Sequence, residues 1–423
     1  MAAFLCCGFE CGVTGSTAHV SRNTSASITT ALARTGTRSL RCNPAADIQG
    51  NAFTTTLGGA TVGVARVYLY ISSAPIVNEV IVGFLNGSTH IAGLAYDTVS
   101  GQWFPGSDDG TTTTIGSSGV TLATATWHVI DFKVDVSANP WTIDVSTNGV
   151  ALTQLTRALA ATTQTRLYLG NGGVGRTSTY DLYFDDLLVS TAAADYPYGS
   201  GKVLAKSPAG DGTHNATPAG VFVRGLDGGA NIISTGASPT TDSYLLVDDV
   251  PLSSAGASDF ITQVTSGAAL YVEHTYPATT GTIGPRAVDI IMAGAHLTTA
   301  AANQKWKIND NGTTLLVWDR AASGSSGTAY ARFQAASMVG GGSWTLARYD
   351  ALRTRWGYST DANPDVMMNA IMLEAEFEAS AATQAQPITA TGIYGVGTLS
   401  AALVPHIPIS ANLSAPVFMW SPL

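Results

Sequence analysis

The stretch that decides the fold is "YDLYFDDLLVS", Tyr180–Ser190, whose apolar and aromatic residues form a strand pattern interrupted by Asp185 and Asp186. Near the other end of the chain, "GFECG" (Gly8–Gly12) places Glu10 among glycines. We interpret the two stretches as the last and the first strand of one β-sandwich, with the acids where these strands meet. Acids in that place either hold a cation or cap the ends of the sheet.

The composition favours strands and turns over helices. Charged residues make up 12% of the 423 residues, about half the roughly 25% of an average soluble protein. Glycine and strand-forming residues are abundant instead. The net charge of −9 and the lack of a basic cluster argue against nucleic-acid binding, which needs clustered Lys and Arg. No stretch approaches the ~20 apolar residues of a membrane span, and the first residues lack the basic region of a secretion signal.

The four cysteines, Cys6, Cys7, Cys11 and Cys42, lie early in the chain. None of them forms a C-x2-C pair, which a zinc site would prefer. Cys6 and Cys7 should point to opposite faces of a strand, so that they cannot share a metal ion. We expect buried thiols. The alternatives are a disulfide from Cys42 to Cys11 or to one of the N-terminal pair, and cross-links between subunits.

Strand patterns recur along the chain, and turn signals separate them. Residues 64–72, 78–85 and 126–137 are rich in β-branched and aromatic residues. Hairpin turns are predicted at three dipeptides, Ser100-Gly101, Asn148-Gly149 and Asn311-Gly312. A short helix is expected only within 253–260 or 297–304. Such spacing without a helical period predicts a sandwich or jelly roll.

A small-residue linker at 191–202 divides the chain. We predict an all-β protein of two tandem antiparallel β-sandwiches, residues 1–195 and 196–378, followed by an extended C-terminal arm, residues 379–423. The arm carries almost no charge but keeps apolar anchors, among them Tyr394, Phe418 and Trp420. We expect the arm to pack on its own domains or on a neighbouring subunit.

The two predicted sandwiches end alike. "RLYLG" from Arg166 precedes the strand with Asp185, and "RTRWG" from Arg353 precedes a strand with Asn369 at the matching position. This favours two related sandwiches. The alternative is chance similarity between short strand patterns.

Three motifs in order, "GFECG", "RTGTRSLRC" (Arg34–Cys42) and "YFDDLLVS", resemble the concanavalin A-like, LamG-like jelly rolls of tailed-bacteriophage virion proteins. "YPYGSGKVLAKSPAGDGTH" and "TDSYLLVDDVP" also resemble segments that come after the jelly roll in that group. The resemblance covers about residues 1–251 and names the first sandwich as the concanavalin A-like jelly roll.

The resemblance implies a non-enzymatic virion structural protein: a minor tail, baseplate or fibre-associated protein, or a capsid decoration. It would be made in the host cytoplasm and would contact other virion proteins and copies of itself. Its sandwich loops would also touch glycans during host attachment. The first alternative is therefore a lectin-like receptor-binding protein.

Carbohydrate-binding modules with this jelly roll often hold a structural calcium between the first and last strands. The resemblance maps that Ca²⁺ site to Glu10 and to Asp185 or Asp186, because Ca²⁺ prefers carboxylate and carbonyl oxygens. Alternatively, Glu10 and Asp185 cap backbone groups at the sheet ends or pair with Arg38 or Arg41.

Three loop aromatics are candidates for stacking on sugars: Trp103 and Phe104 in "GQWFPGSDDG", and Trp141 in "NPWT". Rings in loops stack well on sugar faces, but they also cover cores.

Catalytic motifs are scarce. The sequence has no His-Glu-x-x-His and no Gly-x-Ser-x-Gly. The strand pattern "EAEFE" places Glu374, Glu376 and Glu378 on one face, as in sandwich-fold glycoside hydrolases, which form the second alternative. We instead expect a solvated face at the end of a strand, because no aromatic-lined sequence surrounds it.

Overall fold

The structure is a computed structural model that describes residues 3–10, 12, 26–44, 52–53, 57–86, 90–170, 178–212, 222–225, 260–263, 271–296, 304–310, 313–320, 328–334, 344–357 and 366–379. These residues are nearly all β, as predicted. Their helical structure is a 3-10 turn at Ala193–Asp195 and one short helix, α1 (Leu346–Asp350). No helix of the described part is long and apolar enough to cross a membrane.

Among the described residues up to 190, the structure has fifteen strands: β1 (Ala3–Cys7), β2 (Ala26–Thr29), β3 (Ser39–Cys42), β4 (Ala52–Phe53), β5 (Val62–Ser73), β6 (Glu79–Asn86), β7 (His90–Asp97), β8 (Gln102–Asp108), β9 (Thr113–Ile115), β10 (Trp127–Asp135), β11 (Trp141–Thr147), β12 (Val150–Ala151), β13 (Leu155–Arg157), β14 (Gln164–Leu169) and β15 (Asp181–Ser190).

The part of the chain described from residue 201 onward has eleven: β16 (Gly201–Lys206), β17 (Gly210–Asp211), β18 (Phe222–Gly225), β19 (Phe260–Gln263), β20 (Tyr271–Thr275), β21 (Ala287–His296), β22 (Gln304–Asp310), β23 (Thr313–Arg320), β24 (Thr328–Gln334), β25 (Leu352–Gly357) and β26 (Val366–Glu378).

The first sandwich consists of two antiparallel sheets. Sheet I has the order β12-β11-β10-β5-β15-β3-β2, with β1 paired to β15 and β13 to β11; sheet II has the order β4-β14-β6-β7-β8-β9. The pairing of the first strand with the last is confirmed, with Cys7 opposite Leu187. The strand ends at Cys7, however, so that Gly8, Phe9 and Glu10 of "GFECG" lie after β1 in a bend and a turn, where Phe9 has a φ of 60°.

The second sandwich repeats the strand order of the first. Sheet III runs β18-β19-β26-β21-β24 with β16 paired to β26, and sheet IV runs β17-β20-β25-β22-β23. Sheet III, in the order given, corresponds to β2-β3-β15-β5-β10 of sheet I, and β16 corresponds to β1. In sheet IV, β20-β25-β22-β23 corresponds to β4-β14-β6-β7 of sheet II. The corresponding strands follow one another in the same order along the chain. The predicted likeness of the two sandwich ends is therefore part of a common topology.

The closing strands of the two sandwiches share an irregularity. In β15 the register with β5 shifts between Asp185 and Leu188. In β26 the register with β21 shifts so that Asn369 is left without an opposite residue. A bulge bends a strand and re-aims its side chains. A bulge therefore sets the direction of the Asp185 and Asp186 side chains, and each of the two closing strands contains such a bulge.

Apolar side chains from sheets I and II fill the first sandwich. The rings of Phe84 and Phe132 lie 5.1 Å apart at its centre, and the core extends from Phe9 to Val189. In the second sandwich, Trp356 and Val272 of sheet IV and Ile290 and Leu373 of sheet III are buried.

The two sandwiches together form one compact unit, Met1–Ala379. Strand pairing changes from sheets I and II to sheets III and IV between Ser190 and Gly201. A second unit comprises Ser380–Leu423, and the arm predicted for residues 379–423 lies outside the described residues from 380 onward, so that it stays a prediction. Tyr394, Phe418, Trp420 and the turn Asn311-Gly312 lie outside the described residues, as do most of the two segments expected to be helical.

Cysteines flank the contact between the sandwiches. Cys6, Cys7 and Cys42 are buried thiols that form no disulfide with one another. Cys7 belongs to the core of the first sandwich, whereas Cys6 packs with Val203 and Ala287 of the second. The expectation that Cys6 and Cys7 point to opposite faces is confirmed. Cys11 lies outside the described residues.

Candidate functional site at the junction of the two sandwiches

The acids of the first and last motifs converge on the loop of the middle one, residues 34–38. The Oε1 atom of Glu10 accepts hydrogen bonds from the backbone N–H groups of Thr37 and Arg38, both at 2.9 Å, and Oε2 accepts one from the Thr37 hydroxyl at 2.8 Å. Gly36 has a φ of +62°, and a Cβ atom there would collide with Glu10 Oε1. The "RTGTR" sequence thus needs its glycine both for the turn and for the carboxylate.

Asp185 and Asp186 hold the other end of this loop. Asp185 Oδ2 accepts from the N–H groups of Arg34 at 2.8 Å and Thr35 at 3.3 Å, and Oδ1 accepts from the N–H of Asp186. Asp186 accepts from the Arg34 guanidinium at 2.5 Å and from the Thr35 hydroxyl at 2.6 Å. Burial, together with the neighbouring charge of Asp186, raises the pKa of Asp185 well above its usual range.

These three acids do not fit the calcium site that the resemblance implied. Each of their six carboxylate oxygens faces a protein N–H, O–H or guanidinium donor, whereas Ca²⁺ needs six to eight oxygen ligands. Among the described residues, no group of three or more His, Cys, Asp and Glu side chains is placed to hold a metal ion. The geometry of Glu10 matches the capping alternative, although it caps backbone groups of a loop.

Arg38 and Arg41, the two arginines predicted to pair with Glu10 or Asp185, make other contacts. Arg38 reaches Glu10 through its backbone N–H. Arg41 forms an ion pair with Asp181, at 2.8 Å, rather than with Asp185. The guanidinium that the sequence analysis missed is that of Arg34, which lies 3.4 Å from the centroid of the Tyr68 ring.

An ion triad joins the two sandwiches at the centre of their contact. The carboxylate of Glu376, on β26, accepts from the Nη1 of Arg66 on β5 at 2.5 Å. It also accepts two hydrogen bonds from Arg286, at 2.7 and 2.6 Å. Arg66 and Glu376 are fully buried. Burial acts to raise the pKa of Glu376, but the charges of Arg66 and Arg286 outweigh it and keep that pKa below its ordinary value.

Both arginines also hold backbone carbonyls. Arg66 Nη2 donates to the carbonyl of Asp186 at 3.0 Å, and Arg286 Nη1 donates to the carbonyl of Tyr198 at 2.8 Å. The triad is therefore connected to the "DD" motif on one side and to the linker on the other.

Asp131, on β10, is a further buried acid of the junction. Its Oδ1 accepts from the N–H of Tyr198 at 3.1 Å, and it lies directly opposite Arg66 in the β10–β5 pair. Burial raises the pKa of Asp131 to about 6, against the opposing charge of Arg66.

Each sandwich caps the first strand of the other. The N–H of Cys6, on β1, donates to Asp289 of the second sandwich at 3.1 Å. The N–H of Val203, on β16, donates to Asp186 of the first at 2.5 Å. Both strands pair with a neighbour on one side only in the described part of the chain. Edge strands present unpaired backbone groups, and here acids from the opposite sandwich satisfy some of them.

The expectation of a solvated face at the end of β26 is wrong for two of its three acids. Glu374 and Glu376 are fully buried, and only Glu378 is exposed. The face that the sequence assigned to solvent packs against the first sandwich, because sheet III is covered on both sides.

The three rings proposed for sugar stacking are also in the wrong place. Trp103, Phe104 and Trp141 lie on strands β8 and β11 and expose 1%, 7% and 3% of their surface. Trp103 and Trp141 belong to the core of the first sandwich, and the ring of Phe104 covers Gly119. A ring needs a free face to stack on a sugar, so this interpretation is wrong.

The sequence analysis singled out Glu376 but missed the arginines of the triad and the buried acids Asp131 and Asp289, although a signal was present. Arg66 stands in "VARVYLYIS", Asp131 in "HVIDFKV" and Asp289 in "AVDIIM". A charge inside an apolar strand pattern needs a partner if it is buried. In a chain with 12% charged residues, such positions stand out.

No model of a known protein family matches the chain, and no curated protein matches it either. Among solved structures the chain is similar to a cellulose-induced protein, Cip1, with 16% identity over 44% of this chain and 97% of that one and a TM-score of 0.33. Trypanosoma rangeli sialidase with the inhibitor DANA matches at 14% identity over 43% of this chain and 31% of that one, with a TM-score of 0.29. Domain 4 of the Geobacillus stearothermophilus arabinanase AbnA matches at 14% identity over 44% and 81%, with a TM-score of 0.25. These likenesses concern the β-sandwich fold alone.

Proposed function

We propose that this chain is a non-enzymatic structural protein of a tailed-bacteriophage virion whose work is to hold subunits together. The observation that supports this most is the junction, where a buried ion triad and reciprocal strand capping join the sandwiches into one compact unit. The three motifs that resemble virion jelly rolls all contribute to it.

Buried charges favour a fixed arrangement more than they favour stability. A buried ion pair is often no more stabilising than well-packed apolar residues, while a misaligned one leaves an uncompensated charge. Arg66, Arg286 and Glu376 therefore penalise every other arrangement of the two sandwiches. A fixed two-sandwich block suits a component of a regular particle, whereas domains with a small polar interface usually move relative to each other.

The capped edges suit the same role. A virion concentrates many copies of one chain, and open strand edges would then pair at random. Asp186 and Asp289 occupy backbone groups of two such edges.

The non-enzymatic part of the proposal is supported by the state of the acids. In the "EAEFE" strand, Glu376 is saturated by two arginines, and Glu374 is fully buried. A retaining or inverting glycosidase needs two carboxyl groups that both reach the sugar. The three candidate aromatics are buried as well, so we propose contact with other subunits, rather than glycan binding, as the function.

The test uses particles of the phage whose genome encodes the chain, purified through a density gradient and washed in high salt. Quantitative mass spectrometry should find the chain in a fixed ratio to the major capsid protein. A chain that stays in the soluble lysate while the particles are infective and lack it would contradict the proposal.

A second assay addresses the hydrolase alternative. The purified chain and its Glu374→Gln and Glu378→Gln variants should release no reducing sugar from a panel of bacterial surface polysaccharides. Release by the unaltered chain that either variant abolishes would reverse the non-enzymatic assignment.

A further inference from the structure

Strand β16 leaves one of its edges open. The long strand β26 pairs with β21 on one side, and on the other side it pairs with β19 at one end and with β16 at the other. Within the described part of the chain, β16 has no strand on its second edge. Its outward backbone groups must therefore meet side chains, solvent or another molecule.

Side chains of the first sandwich satisfy the first two outward positions of β16. Gly201 donates its N–H to the Tyr68 hydroxyl at 3.2 Å and accepts from Arg34 at 2.8 Å. Val203 donates to Asp186 at 2.5 Å and accepts from the Thr35 hydroxyl at 3.3 Å. In an antiparallel pair, every second residue turns both backbone groups away from its partner. The next outward position is therefore Ala205.

Ala205 lines a cleft of about 1050 Å³. The opposite wall comprises residues 30–33, which directly follow β2, and Gly36 of the "RTGTR" loop. Strand β2 is itself the last strand of sheet I. The cleft thus lies between β16, at the margin of sheet III, and the residues that follow the last strand of sheet I.

The chemistry of the cleft favours a polypeptide over other ligands. Its lining is rich in small neutral residues, Thr30, Ala31, Ala33, Gly36, Ala205 and Ser207, which let another backbone approach closely. Among the described residues, no aromatic ring lines the cleft for sugar stacking, and Arg38 is its only basic residue, which is too little for a nucleic acid.

We propose that this cleft binds an extended peptide segment of a partner protein, which adds to the open edge of β16 through the N–H and C=O of Ala205. Strand addition of this kind takes its affinity from main-chain hydrogen bonds and its specificity from side-chain pockets. The proposal deepens the assembly role and rests on it only for the partner being another virion subunit.

The key variant is Ala205→Pro. Proline removes the outward N–H of residue 205 but takes no hydrogen bond from the β16–β26 ladder, so that the edge tolerates it. Ala205→Val is the matched control, because it adds bulk but keeps the N–H. Thermal unfolding should show that both variants fold like the unaltered chain.

The probe is a displayed library of random short linear peptides, selected on the full-length chain and counter-selected on Ala205→Pro. We expect enriched peptides that bind the unaltered chain and Ala205→Val alike and bind Ala205→Pro about tenfold or more weakly, the effect of one lost ladder hydrogen bond plus the ring. Selection that yields no such peptides, or peptides indifferent to proline, overturns the proposal.

Amide hydrogen exchange gives a readout without any ligand. The N–H of Ala205 should exchange faster than those of Leu204 and Lys206, which point into the ladder, and the selected peptide should slow it. An Ala205 amide as protected as its neighbours in the free chain would contradict the open edge. Either failure leaves the particle experiment unaffected, so the two proposals fail separately.

Discussion

The interior of the first sandwich and the junction are held together by opposite means. Between sheets I and II the contacts are apolar, as between Phe84 and Phe132. At the junction a small apolar cluster surrounds Arg66, Glu376, Asp186 and Asp131, all nearly inaccessible to solvent. The comparison teaches that the sandwich fold follows from apolar area, whereas the geometry between the sandwiches follows from paired charges.

The largest expected effect comes from breaking the triad on one side. Glu376→Leu leaves Arg66 and Arg286 without their carboxylate, and Arg66 is fully buried. We expect a loss of about 3–5 kcal/mol of unfolding free energy, measured by urea denaturation of the full chain.

The matched control replaces the whole triad. A chain with Arg66→Met, Arg286→Met and Glu376→Leu leaves no charge of the triad uncompensated, and below pH 6 the buried neighbour Asp131 is protonated as well, so at pH 5 most of the loss should return. If the triple variant is as unstable as the single one, the triad is held by packing rather than by charge.

A smaller effect distinguishes two contributions to stability at Gly36: the hydrogen bonds that Glu10 makes to the loop, and the backbone strain of a residue at positive φ. Gly36 and Gly58 have φ values of +62° and +63°, but a Cβ at Gly36 would meet Glu10, while one at Gly58 would meet nothing within 4 Å. We expect Gly58→Ala to cost about 1 kcal/mol from strain alone, and Gly36→Ala about 3 kcal/mol because the cap is also displaced. Equal losses in thermal or urea unfolding would mean that Glu10 contributes nothing to the loop.

The same contrast explains which features the sequence could predict. Alternating and β-branched patterns identified β5, β6 and β10 within a few residues, and Asn148-Gly149 does form the turn between β11 and β12, with φ values of 52° and 80°. These features depend on neighbours along the chain. The burial of Glu376 does not, because it depends on Arg66, which lies 310 residues away in sequence.

The aromatic residues were misplaced for a related reason. Trp103 and Trp141 stand beside Gly and Pro in the sequence, which is typical of loops. Both instead begin strands or lie close to a strand's start and turn inward. Gly and Pro indicate a nearby turn, but they do not show whether a neighbouring aromatic residue lies in that turn or in the adjoining strand. The helix α1 escaped prediction because its five residues are too few to show a period.

The smallest effect concerns the pH dependence of the junction, through Asp131. The groups that face it are Arg66, Arg286, the backbone N–H groups of Tyr198 and Gly199, and the Tyr196 ring. Its pKa is about 6 in the folded chain against roughly 3.9 when unfolded. The folded state therefore binds this proton more tightly, so ionisation of Asp131 destabilises the fold as the pH rises from about 4 to about 6.

Asp131→Asn keeps the acceptor for Tyr198 and removes the titration. Relative to this variant, the unaltered chain should lose about 1 kcal/mol of unfolding free energy between pH 5 and pH 7.5. At pH 5 Asp131 is mostly protonated in the folded chain but mostly ionised in the unfolded chain, and at pH 7.5 it is ionised in both. A constant difference between the two chains across this range would show that Arg66 compensates Asp131 fully. The junction would then be charge-balanced at Asp131 as well as at Glu376, and the contrast with the apolar core would be complete.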